Sequence, residues 1–148
     1  MAVPRLYCAA PLAAGLPVEL RDEALHYARN VLRLETGATL TVFDGLGHEF
    51  SATVVAEGKR SLTLQPEAAL ETLADTGLEI HLGIGLSRGE RMDWVIQKST
   101  ELGVRSITPL LLARCNARFE EKRADNRMRH WKQVAISACE QCGRARLP

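Results

Sequence analysis

The chain has 148 residues, of which 46% are hydrophobic and 25% charged, with a formal net charge of +1. This is an ordinary composition for a globular protein that is long enough to bury a core. The sequence shows no membrane-spanning apolar run, no signal peptide and too few close cysteines for a secreted disulfide scaffold. We therefore expect a protein of the reducing cytoplasm.

The charge is unevenly divided along the chain. Residues 1–72 carry a net charge of −3 and residues 73–148 a net charge of +4. Within the second part, residues 114–146 hold nine basic and four acidic side chains. A basic stretch on a nearly neutral chain indicates a polyanionic partner, but it is also compatible with a solvated helix face.

The first half is predicted to be mainly β-structure. Residues 21–34 are the exception, because they place apolar side chains at helical spacing after a candidate N-cap, Asp22. Strands follow at 39–45, 48–58 and 61–67, separated by turns that contain glycine. Short strands in this arrangement are typical of a small barrel or sandwich. The helical positions are Ala24, Leu25, Ala28, Val31 and Leu32.

A domain boundary is predicted near residue 72, where a polar, alanine-rich connector separates the two halves. The second half alternates strand 78–87, helix 88–103, strand 106–113 and helix 122–143, which favours a parallel sheet. Two strands make a narrow sheet that needs further strands or a partner. The predicted apolar faces are Met92, Val95, Ile96, Ser99 and Leu102 on the first helix and Met128, Trp131, Val134, Ala135 and Ala138 on the second.

Two cysteines near the end, Cys139 and Cys142, have the spacing of some metal and redox motifs. A structural zinc site needs about four ligands, and a second ligand pair is missing. A redox pair is expected at a helix N-terminus, whereas this pair precedes Gly143 near a C-terminus. We expect both cysteines to be packing residues, with metal and redox roles as the less favoured alternatives.

The string GIGLSRGE, between a strand and a helix, is close to a dinucleotide-binding fingerprint. The fingerprint requires glycine where Arg88 stands, and the next strand ends at Arg114 without an acidic ribose ligand. A nicotinamide-dependent oxidoreductase is therefore a weak alternative. A tight turn, or a phosphate contact by Arg88 and Arg91, fits the same residues. Lys98 and Glu101 are interpreted as an ordinary surface pair.

Five strings, in order, resemble one family. They are PRLY, HYARNVLRLETGATLTVFDGLGHEF, HLGIGLSRGERMDWVIQKSTELGV, ITPLLLARC and WKQVAISACEQCGR. Together they resemble the bacterial 16S ribosomal RNA uridine-N3 methyltransferases, the ribosomal RNA small subunit methyltransferase E family of the SPOUT class. The resemblance covers essentially the whole chain.

The resemblance implies a PUA-like, RNA-binding β-barrel over residues 1–72, followed over 73–148 by the first part of a SPOUT α/β domain. In the family, the later chain forms a trefoil knot that holds S-adenosylmethionine, and that segment is not found in these 148 residues. We therefore expect the complete enzyme to be a homodimer that methylates uridine N3 of 16S rRNA. We expect no membrane partner. We expect this chain alone to be inactive; the alternative is a stand-alone RNA-binding module.

Candidate site residues follow from the chemistry and the resemblance. A cation against the uracil carbonyls would stabilise the charge that develops when N3 loses its proton. Arg114 is the candidate, because it follows a strand at the carboxyl edge of the predicted sheet. Glu140, Gln141 and Arg144 are predicted to orient the base or the partner subunit. Contacts to rRNA phosphates go to Arg5, Arg29, Arg33 and Arg88. No metal ligands are predicted.

Overall fold

The computed structural model of the chain describes residues 3–72, 77–87, 89–113 and 121–148, the last range with side chains from residue 124 onward. The chain divides into two compact units, Met1–Leu73 and Ala74–Pro148. Each unit contains a cluster of buried apolar side chains of its own. In the described part of the chain, no helix is both long enough and apolar enough to cross a membrane.

The first unit is built on one five-stranded sheet with the strand order β1-β3-β4-β5-β2. β1 runs parallel to β3, and every other neighbouring pair is antiparallel. β4 shifts register twice against β5, and such irregularities bend a strand and increase its twist. The strands are β1 (Arg5–Tyr7), β2 (Val18–Leu20), β3 (Thr39–Phe43), β4 (Glu49–Gly58) and β5 (Ser61–Ala69).

Alternation of buried and exposed residues along β4 and β5 gives this sheet one apolar face. Leu62 and Leu64 of β5 are almost completely buried, as are Leu40 and Val42 of β3. Burying one such side chain contributes roughly 1.5–3 kcal/mol. The three strands predicted at 39–45, 48–58 and 61–67 correspond to β3, β4 and β5, so the β-rich prediction for this half is confirmed.

The predicted helix of the first unit has a different geometry from the expected one. It begins as α1 (Asp22–His26) and continues as π-helical turns over Tyr27–Val31. Asp22 is not the N-cap, because that position belongs to Arg21, which makes no capping hydrogen bond through its side chain. The wider π turns rotate the later residues, so Ala28 is fully buried while Val31 is 58% exposed.

The second unit contains two parallel strands, which confirms the predicted parallel pairing. Its buried cluster joins Leu86 to residues of both long helices, among them Met92 and Trp131. The elements are β6 (His81–Gly85), α2 (Glu90–Glu101), β7 (Ser106–Leu110) and α3 (Glu121–Cys142).

Two predicted core positions of the second unit are wrong. Leu102 is 83% exposed, because α2 has already ended at Glu101 and the chain turns at Gly103 in the left-handed region (φ 89°). Met128 is 50% exposed, although it lies on the same helical stripe as the buried Trp131. β6 is also shorter than the predicted strand 78–87, and Leu78 before it is exposed.

Candidate functional site

Arg144, one of the predicted orienting residues, follows the C-terminus of α3 and binds the C-terminus of α2. Its guanidinium donates hydrogen bonds to the carbonyl oxygens of Thr100 (3.2 Å), Gly103 (3.3 Å) and Val104 (2.6 Å). The last carbonyls of a helix lack partners within the helix and carry partial negative charge, so a cation is well suited to them. Arg144 therefore joins the ends of the two helices, and its orienting role in catalysis stays a prediction.

The other two predicted orienting residues lie in the last turn of α3. Glu140 is half-buried and Gln141 is exposed, so the structure brings Glu140, Gln141 and Arg144 to one end of this helix. Just before them, Cys139 is completely buried, and its thiol lies 3.7 Å from the carbonyl oxygen of Arg146. Cys142 is half-buried. In the described part of the chain, no three His, Cys, Asp or Glu residues are grouped as a metal site would require.

Arg5, a predicted phosphate ligand, makes its contacts inside the first unit. It forms a salt bridge with Glu49, which is 8% exposed, and its guanidinium lies 5.1 Å from the ring centroid of Phe43. Removing one member of such a buried pair leaves the other charge uncompensated. Arg5 thus fixes β1 against the start of β4, and a phosphate contact by Arg5 stays a prediction.

The turn between β3 and β4 contains a polar cluster that its glycine content alone did not predict. The Asp44 carboxylate accepts hydrogen bonds from the amides of Leu46 (2.7 Å) and His48 (3.1 Å) and lies 2.6 Å from His48 Nδ1. Partial burial raises the pKa of Asp44, but these hydrogen bonds outweigh it and hold the pKa below its ordinary value. Asp44 therefore acts as an ionised cap of this turn.

Arg29 and Arg33, also predicted phosphate ligands, lie at the end of the first unit's helical segment. The Arg29 guanidinium donates to three carbonyl oxygens of the β4–β5 turn: Gly58, Lys59 (3.2 Å) and Ser61 (3.1 Å). Arg33 is exposed and adopts a left-handed backbone conformation (φ 53°). The structure therefore separates the two, since Arg29 is engaged with the protein and Arg33 faces solvent.

Two predicted site residues, Arg114 and Arg88, lie outside the described residues. The strand ends beside them are described, and they present mainly apolar groups: Leu86 is buried, and Leu111 and Leu112 are exposed. A nucleoside with an amino-acid tail needs hydrogen-bond partners for its base, ribose and carboxylate. The apolar side chains of Leu86, Leu111 and Leu112 cannot supply such partners, so we assign no methyl-donor site to them.

Two further polar features of the structure were not predicted from the sequence. His130 of α3 lies 2.7 Å from the Asp93 carboxylate of α2, a contact between elements that no local pattern predicts. Lys59 and Arg60 form the exposed two-residue turn between β4 and β5. The signal for this second feature was present, because two adjacent cations stood between two predicted strands.

Each of the two units matches a family of known proteins. Residues 20–67 match the family described as RNA methyltransferase PUA domain, and residues 74–148 match the family described as RNA methyltransferase domain. The ribosomal RNA small subunit methyltransferase E of Buchnera aphidicola (subspecies Acyrthosiphon pisum) is 36% identical over 148 residues, which are 99% of this chain and 58% of that protein.

Two solved structures are also similar over the whole chain. A Legionella pneumophila protein with the bound cofactor SAM is 38% identical with a TM-score of 0.93, over 100% of this chain and 61% of that one. The ribosomal RNA small subunit methyltransferase E of Neisseria gonorrhoeae, bound to S-adenosyl methionine, is 36% identical with a TM-score of 0.91, over 99% and 60%. The chain therefore spans about 60% of the length of these relatives.

The fold defines the class first: a PUA-like β unit is followed by an α/β unit of the SPOUT methyltransferase class, as the resemblance implied. Both units match in the order in which the chain carries them. The chain belongs to the ribosomal RNA small subunit methyltransferase E family.

Proposed function

We propose that this chain is part of an S-adenosylmethionine-dependent methyltransferase that modifies N3 of a uridine in 16S ribosomal RNA. One observation carries the proposal: 36% identity to a ribosomal RNA small subunit methyltransferase E extends over 99% of the chain, through both units. The similar solved structures that hold the methyl donor support the choice of cofactor. RNA as substrate is also supported by the family descriptions matched on either side of residue 72.

The two units would divide the work. The first unit, residues 1–72, would bind RNA, and the second, residues 73–148, would contribute to methyl transfer. The net charge of +4 on residues 73–148 supports an approach of this part to a polyanion. Homodimer formation and a cytoplasmic location belong to the same proposal and rest on the family resemblance.

The chemistry at uracil N3 requires removal of a proton and stabilisation of the resulting charge on the carbonyl oxygens. A guanidinium suits that charge, and Arg114 is proposed for it on its position after β7. Glu140 and Gln141 are proposed to orient the base or a partner subunit, with Arg144 holding their end of α3 against α2. Methyl transfer from a sulfonium is an in-line displacement, so such positioning supplies much of the acceleration.

The methyl donor is proposed to bind residues beyond those described at the strand ends. We therefore expect the 148-residue polypeptide by itself to bind no S-adenosylmethionine at micromolar concentration and to transfer no methyl group. Isothermal titration calorimetry with the donor tests this expectation. Micromolar binding by the 148 residues alone would contradict it.

A chimera tests the function itself. The 148 residues would replace the matching 60% of the Neisseria gonorrhoeae enzyme, and the chimera would be incubated with donor and unmethylated small-subunit rRNA. We expect one new methyl group that stops reverse transcription at a uridine, since a methyl group on N3 blocks base pairing. A chimera carrying Arg114→Ala is expected to bind the rRNA but to transfer at least tenfold more slowly. A chimera that binds rRNA and methylates nothing would favour the RNA-binding module instead.

A further inference from the structure

The turn between β4 and β5 has an unusual composition for its length. Gly58 pairs with Ser61, so Lys59 and Arg60 alone connect the two strands. Two-residue hairpin turns usually carry Asn-Gly or a similar pair, because the favoured turn types need positive φ angles. Among the described residues other than glycine, only Asp22 and Arg33 have positive φ, so Lys59 and Arg60 do not form the type I′ turn. Both side chains are exposed.

Arg29 holds this turn from the protein side. Its donors reach the carbonyl oxygens of Gly58, Lys59 and Ser61, so the turn's carbonyls are engaged while its two cationic side chains stay in solvent. A second link joins the same two segments, because Glu57 accepts hydrogen bonds from the amide (2.6 Å) and the hydroxyl (2.9 Å) of Thr36. The segment between Arg29 and Thr36 is therefore tied to the end of the β4–β5 hairpin at both of its ends.

Arg33 lies inside that tied segment. It occupies the left-handed position that follows a helix, where glycine is the most common residue and an arginine is disfavoured. Its side chain is exposed, and it has no ion pair with any described residue. An exposed cation therefore occupies a glycine-favoured position within the segment that is tied to the β4–β5 turn.

The charges of the first unit are polarised along the sheet. One end of the sheet is formed by β2, the helical segment and the β4–β5 turn. Five of the unit's six Lys and Arg residues and five of its nine acidic residues lie at this end. At the other end, Arg5 is outnumbered by four acidic residues, so the unit's net charge of −3 is located there. Arg21 is paired with Glu19 (2.9 Å), which leaves Arg33, Lys59 and Arg60 as this unit's exposed cations without a carboxylate partner among the described residues. The β4–β5 end is therefore close to neutral overall, and it carries the unit's exposed cations, whereas the other end is acidic and would repel a polyanion.

We propose that Arg33, Lys59 and Arg60 form one phosphate-binding surface, the basic turn surface, through which the first unit contacts the sugar-phosphate backbone of ribosomal RNA. The proposal rests on the RNA-binding role proposed above and assigns residues to it. Arg29 is assigned as a positioning residue of this surface, because three of its five N–H donors hold the turn carbonyls.

The test is RNA binding by the 148-residue chain as a function of salt. The probe is protein-free small-subunit ribosomal RNA, titrated between about 50 and 200 mM salt. Each lost phosphate contact should reduce the slope of log K against log salt by about 0.7–0.9. We expect Lys59→Gln/Arg60→Gln to reduce the slope by about 1.5 and Arg33→Gly by about 0.8. Arg33→Gly should keep its melting temperature, because glycine is favoured at this backbone conformation.

A neutral pair from the same end of the unit is the matched control. Glu19→Gln/Arg21→Gln removes an exposed ion pair beside β5 without changing the net charge, and it should leave the slope unchanged. Arg29→Lys keeps the charge but cannot span three carbonyls. It should weaken binding at every salt concentration while the slope stays the same. Arg29→Gln separates the two roles, because loss of a positioning residue leaves the slope unchanged, whereas loss of a phosphate ligand would lower it by about 0.8.

The outcomes separate the two proposals. If the unaltered chain binds no ribosomal RNA, the RNA-binding role of the first unit is wrong and the basic turn surface falls with it. If the unaltered chain binds and the Lys59→Gln/Arg60→Gln and Arg33→Gly variants keep its slope, only the basic turn surface is wrong. Equal slope losses in these variants and in the control pair would also overturn it, because charge contacts would then be spread over the whole end.

Discussion

The sheets of the two units are stabilised in different ways. In the first, β3, β4 and β5 pair as consecutive antiparallel neighbours, and the strands close around one apolar cluster. In the second, the parallel pair β6 and β7 is connected through α2, and Leu110 and Leu111 at its end are 38% and 64% exposed. Antiparallel neighbours need only a short turn, whereas a parallel pair depends on the helix between its strands. The packing of α2 on α3 therefore carries much of the second unit's stability.

Core truncations in the two units give the largest expected effect. Leu62→Ala and Met92→Ala each remove a side chain that is no more than 1% exposed, and each should lower the free energy of unfolding of its own unit by about 3 kcal/mol. Both tryptophans, Trp94 and Trp131, belong to the second unit, so fluorescence reports only on that unit. Urea unfolding followed by fluorescence should shift for Met92→Ala and stay in place for Leu62→Ala. Equal shifts would show that the two units unfold as one.

Loss of the Arg144 contacts should have the next largest effect. Arg144→Ala leaves three carbonyls at the end of α2 without a cationic donor and should destabilise the second unit by about 2 kcal/mol in the same fluorescence experiment. Arg144→Lys is the control, because it keeps the charge but cannot reach all three oxygens, and it should lose about half as much. Unchanged stability in Arg144→Ala would show that these hydrogen bonds do not stabilise the second unit.

The Asp44 cap should give the smallest effect and should depend on pH. Asp44→Asn should destabilise the first unit by about 1 kcal/mol at pH 7, measured by circular dichroism. The folded-state pKa of Asp44 lies below its ordinary value of 3.8, so its stabilisation is fully present above pH 3.8 and is lost as the pH falls through the lower folded value. The difference between the two proteins should therefore shrink in acid. A constant difference down to pH 2 would mean that the carboxylate charge is not involved.

Local sequence patterns predicted the features that depend on neighbouring residues along the chain, namely strands and helix ends. Alternating apolar residues between turns predicted β3, β4 and β5, because every second side chain of a strand points to the same face. The Gly103 and Gly143 helix ends were equally readable, since glycine is favoured at the left-handed position that ends a helix. The family resemblance added the PUA-like and SPOUT classes, which no spacing argument alone supplied.

Other expectations failed where distant residues compete with local preference. The π turns after His26 and the exposure of Val31 depend on how the helical segment meets the sheet, and the spacing of its own residues assumed an ordinary α-helix. Leu102 was placed in the core by its helical spacing, yet the helix ends one residue before it. Such boundaries depend on the contacts of the following chain, here the bonds that Arg144 makes to Gly103 and Val104.

The sequence by itself determined the family, the β-rich first half, the strand–helix alternation of the second and the supply of arginines. Tertiary structure decided what those arginines do. Arg5, Arg29 and Arg144 carry the same charge as Arg33, but each is bound to a carboxylate or to backbone carbonyls of another segment. A guanidinium's partners are set by which distant groups the fold brings within about 3 Å of it. Composition and spacing cannot contain that information, because it arises only when the segments pack.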